Sequence, residues 1–263
     1  MLASRDFTLS ATGHDLYDRL RAAAQLSIFV DKGVLQQRDL AKGTLGVAAG
    51  NPVVGYDGDL GMVIDFDGTG DRLSYSAHPW AANSDATMAV IIKIDTLAVN
   101  DSMLTTRAAS NVGLVMSLDG GSGITWRLTK GGVVSIDSSI TLSTGVPYFL
   151  AVSYRHSTGD TRFVTRRLDT GAITLANATN STAYSAGDGT FTVGGDQNFT
   201  TDLDCKIAAA YISDRCSVTD ELQMWSLDPF ALWIDSYSQP PVLKTTTSGF
   251  FSRYYYDMRA KAA

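Results

Sequence analysis

Met88-Ala89-Val90-Ile91-Ile92-Lys93-Ile94-Asp95 decides the fold, because its apolar residues recur at every second position and give way to charge only at Lys93 and Asp95. Met88, Val90, Ile92 and Ile94 fall on one face of an extended chain, with Ala89, Ile91, Lys93 and Asp95 on the other. That is the period of a strand, not of a helix. The same period returns in Ile124, Trp126 and Leu128, in Tyr148, Leu150, Val152 and Tyr154, in Phe191 and Val193, and in Ile207, Ala209 and Tyr211. Between them stand Gly120-Gly121-Ser122-Gly123, Lys130-Gly131-Gly132, Ser157-Thr158-Gly159-Asp160, Gly187-Asp188-Gly189 and Gly194-Gly195-Asp196, which suit tight turns. Each strand is expected to bury one face, so two sheets must pack with those faces inward, about 10 Å apart.

The composition agrees. A chain of 263 residues, 44% hydrophobic with 24 glycines, can bury a large core and is neither disordered nor collagen-like. Every acidic residue except Glu221 is aspartate, which favours turns and caps over helix interiors. The net charge is −6 and no basic run is longer than Arg166-Arg167, so nucleic acid is not expected as a partner. The first residues, Met1-Leu2-Ala3-Ser4-Arg5-Asp6, lack a signal-peptide pattern, and no window reaches the ~18 apolar residues of a membrane span. Synthesis in a cytoplasm without membrane insertion is the expectation. Cys205 and Cys216 flank a strand that would hold them too far apart for a bond unless the chain folds back between them, so free thiols are expected ahead of a disulfide.

Both ends leave the alternating pattern. His14 to Leu26 places Leu16, Leu20 and Ala24 at helical spacing. Ser217 or Thr219 is expected to cap a short helix over Asp220 to Trp225, and Asp228-Pro229 to start another over Phe230 to Trp233. Beyond Pro240-Pro241 a Thr- and Ser-rich linker leads to Phe250, Phe251, Arg253, Tyr254, Tyr255 and Tyr256.

Several of these segments resemble a family. Ile64-Asp65-Phe66-Asp67-Gly68-Thr69-Gly70-Asp71-Arg72-Leu73 is similar to the strand and turn near the start of laminin-G-like, concanavalin A-like jelly-roll domains. Gly145 to Tyr154 resembles their Trp-containing core strand, with Tyr148 in the tryptophan's place, and Phe191-Thr192-Val193-Gly194-Gly195 resembles a later strand. Residues 203–224 look like the last core strand and the helix after it. Asp228-Pro229-Phe230-Ala231-Leu232-Trp233 resembles an ending common in such proteins of tailed bacteriophages. The resemblance implies an all-β, two-sheet antiparallel jelly-roll sandwich over residues 21–225, with an N-terminal lead-in (1–20) and a C-terminal arm (226–263).

Related folds include glycoside hydrolases, which need two closely placed carboxylates, usually glutamates. Glu221 stands alone, and Asp65 and Asp67 share a strand face but Asp67 reads as a turn residue. His14, His78 and His156 have neither a nucleophile elbow nor zinc spacing, so no catalytic residue is assigned. Laminin-G-like domains sometimes bind calcium at a loop rim, and the resemblance makes Asp65, Asp67, Asp71, Asp202 and Asp204 the candidates. Calcium is therefore the one cofactor considered.

The reading that follows is a non-enzymatic virion protein, a capsid decoration or a fibre-type appendage. It would dock on other virion proteins and on copies of itself through Phe230, Trp233, Phe250, Phe251, Arg253, Tyr254, Tyr255 and Tyr256. The alternative is a module that binds host-surface glycan, with Trp80 in a loop as the stacking platform and Trp126 in the core.

Overall fold

The computed structural model describes residues 9–30, 37–76, 78–97, 101–107, 112–119, 125–131, 134–196 and 203–233, with side chains from residue 16 onward. Asp202 and the cluster from Phe250 to Tyr256 lie outside the described residues. Helix α1 (Leu9–Ala23) runs directly into β1 (Ala24–Phe29). There follow β2 (Val47–Ala49), β3 (Val53–Asp57), β4 (Gly61–Asp67), β5 (Arg72–Ser76), β6 (Ala86–Ile94), β7 (Ser102–Thr105), β8 (Leu114–Leu118) and β9 (Thr125–Lys130). Then come β10 (Val134–Thr141), β11 (Pro147–Tyr154), β12 (Asp160–Arg167), β13 (Ile173–Thr179), β14 (Thr190–Val193), β15 (Asp204–Ser213) and α2 (Thr219–Leu227).

Two antiparallel sheets form a jelly-roll sandwich. One runs β13-β12-β11-β6-β15-β4-β3, with β1 also paired to β15; the other runs β10-β9-β8-β7-β14-β5-β2. The decisive stretch is β6, at the middle of the first sheet between β11 and β15. Its Val90 stands opposite Leu150 on one side and Ala210 on the other, and all three belong to the core between the sheets. Ile64, Phe66, Leu73, Trp126, Phe163 and Phe191 fill that core. Each fully buried side chain of this kind contributes roughly 1.5–3 kcal/mol.

The one-buried-face expectation needs correction at the middle of this sheet. Ala89 of β6 stands between Ala151 and Tyr211, and these three lie in a second apolar cluster on the sheet's outer face. Small residues there (Ala89, Ala151, Ala208, Ala209) let a helical layer come close: Leu16 and Leu20 of α1, Leu222 and Trp225 of α2, then Phe230 and Leu232. Trp225 lies 5.2 Å from the Phe149 ring and 5.1 Å from Tyr211, whose hydroxyl donates to the Leu20 carbonyl at 2.7 Å.

The ends differ from the sequence reading in detail. The helix expected from His14 ends at Ala23, because Leu26 is taken into β1 and faces the inter-sheet core. Val218 sits at the N-cap of α2, and its N–H donates to Glu221 Oε2 at 3.1 Å. Ser217 is spent elsewhere, accepting from Thr87 through its hydroxyl and from Ser153 through its carbonyl. Residues 229–233 make turns rather than a second helix, closed by Ala231 N–H to Asp228 O at 3.2 Å and Trp233 N–H to Phe230 O at 3.0 Å. Cys205 and Cys216 are free and buried. Among the described residues no helix is long and apolar enough to cross a membrane.

Candidate functional site

The strands that end near residues 65, 95 and 204 build an open cleft. The turn from β4 to β5, Asp67-Gly68-Thr69-Gly70-Asp71, needs glycine at two positions of positive φ, 75° at Gly68 and 80° at Gly70. Asp67 Oδ1 accepts the Thr69 N–H at 2.8 Å, the turn role expected of it. Asp71 is folded under the turn at 1% exposure, one oxygen accepting from Asn51 N–H at 2.5 Å and the other from Asp67 N–H at 3.1 Å. Across the sheet, the outward row passes from Val53 on β3 to Asp65, Lys206 and Lys93. Their neighbours Ile64, Phe66, Ile92 and Ile207 all point into the core, which forces these charges outward.

Asn51, Val53, Asp65, Asp67, Asp71, Asp95, Asp204 and Lys206 line the resulting cleft, about 430 Å³ in volume, a size suited to a small ligand. Lys206 Nζ pairs with Asp95 and lies 3.7 Å from Asp65; Asp204 accepts from Thr96 Oγ1 at 2.6 Å. Burial pushes the Asp65 carboxyl up; Lys206 opposes that, and Asp95 and Asp204 add to it, leaving a net rise. Burial works against the Lys206 ammonium, but Asp95, Asp65 and Asp57 outweigh it and hold the lysine above its ordinary value. Farther along, Lys93 Nζ bridges Asp57 at 3.0 Å and Asp59 at 2.9 Å.

Four of the five aspartates singled out in the sequence thus converge on one cleft, the fifth, Asp202, lying outside the described residues. Both oxygens of Asp71 are engaged by backbone N–H groups, and one oxygen each of Asp67, Asp204 and Asp65 faces the Thr69 N–H, Thr96 and Lys206 respectively. Among the described residues no group of three or more His, Cys, Asp or Glu side chains is placed to hold a metal ion. The sequence reading overlooked Asn51, Asp95 and Lys206. The period-two pattern carried the signal for two of them, since Lys206 shares a strand face with Asp204 and Asp95 shares one with Lys93.

The remaining candidates lie elsewhere. The structure places Trp80 in the core instead of on a loop surface: it is 3% exposed, donates to the Tyr184 hydroxyl at 3.2 Å and packs edge-on to Phe191, so it offers a sugar no face. Among the described residues the exposed aromatic is Tyr56, on edge strand β3. Trp126 is buried as expected, donating to Thr165 Oγ1 at 3.0 Å. Phe230 is buried, and Trp233 stacks on Phe29 with its indole N–H on Ser27 Oγ at 3.0 Å. Both are spent within the fold. His78 is fully buried with Nε2 3.0 Å from Thr44 Oγ1 and 3.6 Å from Asp39, and burial holds its pKa down, Asp39 opposing. Glu221 is tied to Arg215 and lies 3.1 Å from Arg19.

No family model and no curated relative matches the chain. Solved structures do. The binding domain of a paraclostridial mosquitocidal protein superposes with a TM-score of 0.60 at 14% identity, over 81% of this chain and 53% of that one. Domain 4 of an extracellular GH43 arabinanase from Geobacillus stearothermophilus, solved with arabinotriose, gives 0.59 at 14% identity over 78% of this chain and 98% of that one. The ligand-binding domain of botulinum neurotoxin serotype D, in complex with N-acetylneuraminic acid, gives 0.56 at 15% identity over 80% and 52%. The chain therefore spans about half the length of the two toxin domains and nearly all of the arabinanase domain. At these identities the likeness is one of fold: a β-sandwich of the jelly-roll kind.

Proposed function

We propose that this chain is a non-catalytic carbohydrate-binding module whose sugar sits in the cleft between Asn51, Asp65, Asp95, Asp204 and Lys206. The observation that carries the reading is the cleft itself, an open polar hollow of about 430 Å³ on a sandwich of the same fold as domains solved with arabinotriose and N-acetylneuraminic acid. Carboxylates accept hydrogen bonds from vicinal hydroxyls, while Lys206 and the Asn51 amide donate to ring and hydroxyl oxygens. Hydrolysis is left out of the reading because Asp67 is committed to its turn, Asp65 is held by Lys206 and Glu221 is engaged by arginines.

Of the docking residues of the virion reading, Phe230 and Trp233 are used in packing and Phe250 to Tyr256 lie outside the described residues, so sugar binding stands ahead of it. A glycan array followed by calorimetric titration of the best binders tests the proposal. Asp65→Asn combined with Lys206→Met should weaken binding at least about tenfold, the loss of roughly one charged hydrogen bond. A blank array, or affinity unchanged in the double variant, would remove the proposal.

A further inference from the structure

The first sheet ends at β13, on the flank opposite β3, and no described strand follows it. Its register with β12 runs from Asp160 opposite Thr179 to Arg166 opposite Ile173 without a shift. The bonds that close the hairpin at either end, Arg167 N–H to Ala172 O and Asn180 N–H to Gly159 O, both 2.9 Å, fix which backbone groups face β12. Thr174, Ala176 and Ala178 share the parity of residues 172 and 180 and bond to β12, so the N–H and C=O groups of Ile173, Leu175, Asn177 and Thr179 point off the sheet. The side chains of those four stand on the outer face, because Leu175 lies opposite Val164 of the outer cluster while Ala176 lies opposite Phe163 of the core. Ile173 is 38% and Leu175 42% exposed.

An open edge is a template for one more strand, and the other edges of this sandwich are guarded. β2 has three residues. β3 ends in Asp57 and borders the cleft of aspartates, so a second copy set against it would meet like charge. β10 shifts register between Asp137 and Thr141 and passes through a positive φ of 55° at Ser139. β1 is covered by Asp39 and Leu40, which bond to the backbone of Ser27. β13 carries none of these devices: Ile173–Thr179 holds no lysine, proline, glycine or bulge, and no residue from Thr170 to Gly187 is charged.

We propose that β13 is the docking edge for a second copy of this chain, joining two first sheets into one continuous antiparallel sheet. The edge complements itself. A two-fold axis at Ala176, perpendicular to the sheet, sets Leu175 against Asn177 of the second copy and Ile173 against its Thr179, so the outward backbone groups of both strands pair. The two Leu175 side chains then meet on a diagonal about 7–8 Å apart. The nearest cations, Arg162 and Arg166 on β12, stay about three strand spacings, ~14 Å, from those of the second copy, beyond the Debye length at physiological salt. An edge of seven residues, about 23 Å long and about 10 Å deep, covers roughly 500 Å² per copy and about 1,000 Å² in all, the lower limit for a specific interface, so a reversible dimer of micromolar affinity is expected. The axis keeps both outer faces on one side, with the two clefts about 50 Å apart. The inference rests on the edge and stands apart from sugar binding, so its test uses no sugar.

Sedimentation of the full chain from about 1 to about 200 µM should show a monomer–dimer equilibrium in the micromolar range. Leu175→Lys combined with Asn177→Lys, both at exposed positions, brings ammonium groups together around the axis and should raise the Kd at least about tenfold. Tyr56→Lys, on the β3 edge, should leave it unchanged. In hydrogen exchange the amides of Leu175 and Asn177 should gain protection with concentration in the native chain and not in the double variant. Amides of β6 should stay protected in both and report that the variant is folded. A native chain that stays monomeric throughout, a dimer undiminished in the double variant, or a dimer lost with Tyr56→Lys would overturn the proposal.

Discussion

Lys130 is the residue whose replacement tests the packing argument most sharply. It ends β9 at 1% exposure with no carboxylate among its bonded partners. Its ammonium, with three N–H donors, sits among four oxygens, the Asn180 carbonyl at 2.7 Å, the Thr182 carbonyl at 2.9 Å, Asn180 Oδ1 at 3.1 Å and the Tyr154 hydroxyl at 3.1 Å, and lies 4.7 Å from the Tyr154 ring centroid. In Lys130→Met the side-chain volume is nearly kept. Asn180 Oδ1 still accepts from Thr182 N–H, and Tyr154 still shares a hydrogen bond with His156. The Asn180 and Thr182 carbonyls lose their lysine donor, at about 1–3 kcal/mol each. Relief from burying a cation returns part of that, so a net loss of about 2–4 kcal/mol is expected, or a fall in Tm of roughly 5–15 °C for a domain of this size. Burial pushes the Lys130 pKa down to about 8, against about 10.4 in an unfolded chain. Between those values the unfolded state binds more protons, so the native chain gains stability with rising pH while the methionine variant lacks that gain. Calorimetric unfolding from pH 7 to 10 should therefore show the gap between the two chains widening. A variant as stable as the native chain, or a gap that narrows with pH, would refute the reasoning.

Three further outcomes follow from the same structure. Gly194 has φ 85° and an added Cβ would collide with the Phe66 ring, so Gly194→Ala should cost at least about 2 kcal/mol in urea unfolding. Trp225→Ala empties the space between the first sheet and its helical layer and should cost about 3–5 kcal/mol, with α1 amides losing hydrogen-exchange protection first. Burial would raise the Asp57 carboxyl, but the Asp59 N–H, the Lys93 ammonium and the Leu60 N–H together hold it below the usual carboxylate range. Its contribution is therefore present above about pH 4 and lost as the pH falls through the lowered value, so Asp57→Asn should flatten the acid limb of the stability curve below about pH 4.

The sequence made the sandwich legible because alternation is a local property: β6 and β11 each declare their inner face in consecutive residues. The helical layer was only half legible, since Leu16 and Leu20 announce an amphipathic helix, whereas its seat depends on alanines that read as unremarkable strand residues. Trp80 was misplaced for a related reason. A loop position says nothing about exposure, and Trp80 is drawn inward by Tyr184 and Phe191, which lie about a hundred residues onward. Lys130 was invisible because a lysine at a strand end reads as solvated, while its oxygen cage comes from residues 50 and 52 positions later.

The cleft lies between these cases, and its physics explains why. Residue type marked Asp65, Asp67, Asp71 and Asp204, but their convergence is written in the pairing of β4 with β15, which sets Asp67 opposite Asp204 and Asp65 opposite Lys206. A slip of one residue would send those charges into the core and Ile64, Phe66 and Ile207 to solvent, so the burial that fixes the sandwich also fixes the charge pattern. The apolar inner row thereby selects one arrangement of the polar outer row. The register of such a site is thus fixed by the core beneath it, and if sugar binds there as proposed, single replacement of Asp65 or Asp204, which do not hold the turn backbone, should change its affinity while leaving the strand register intact.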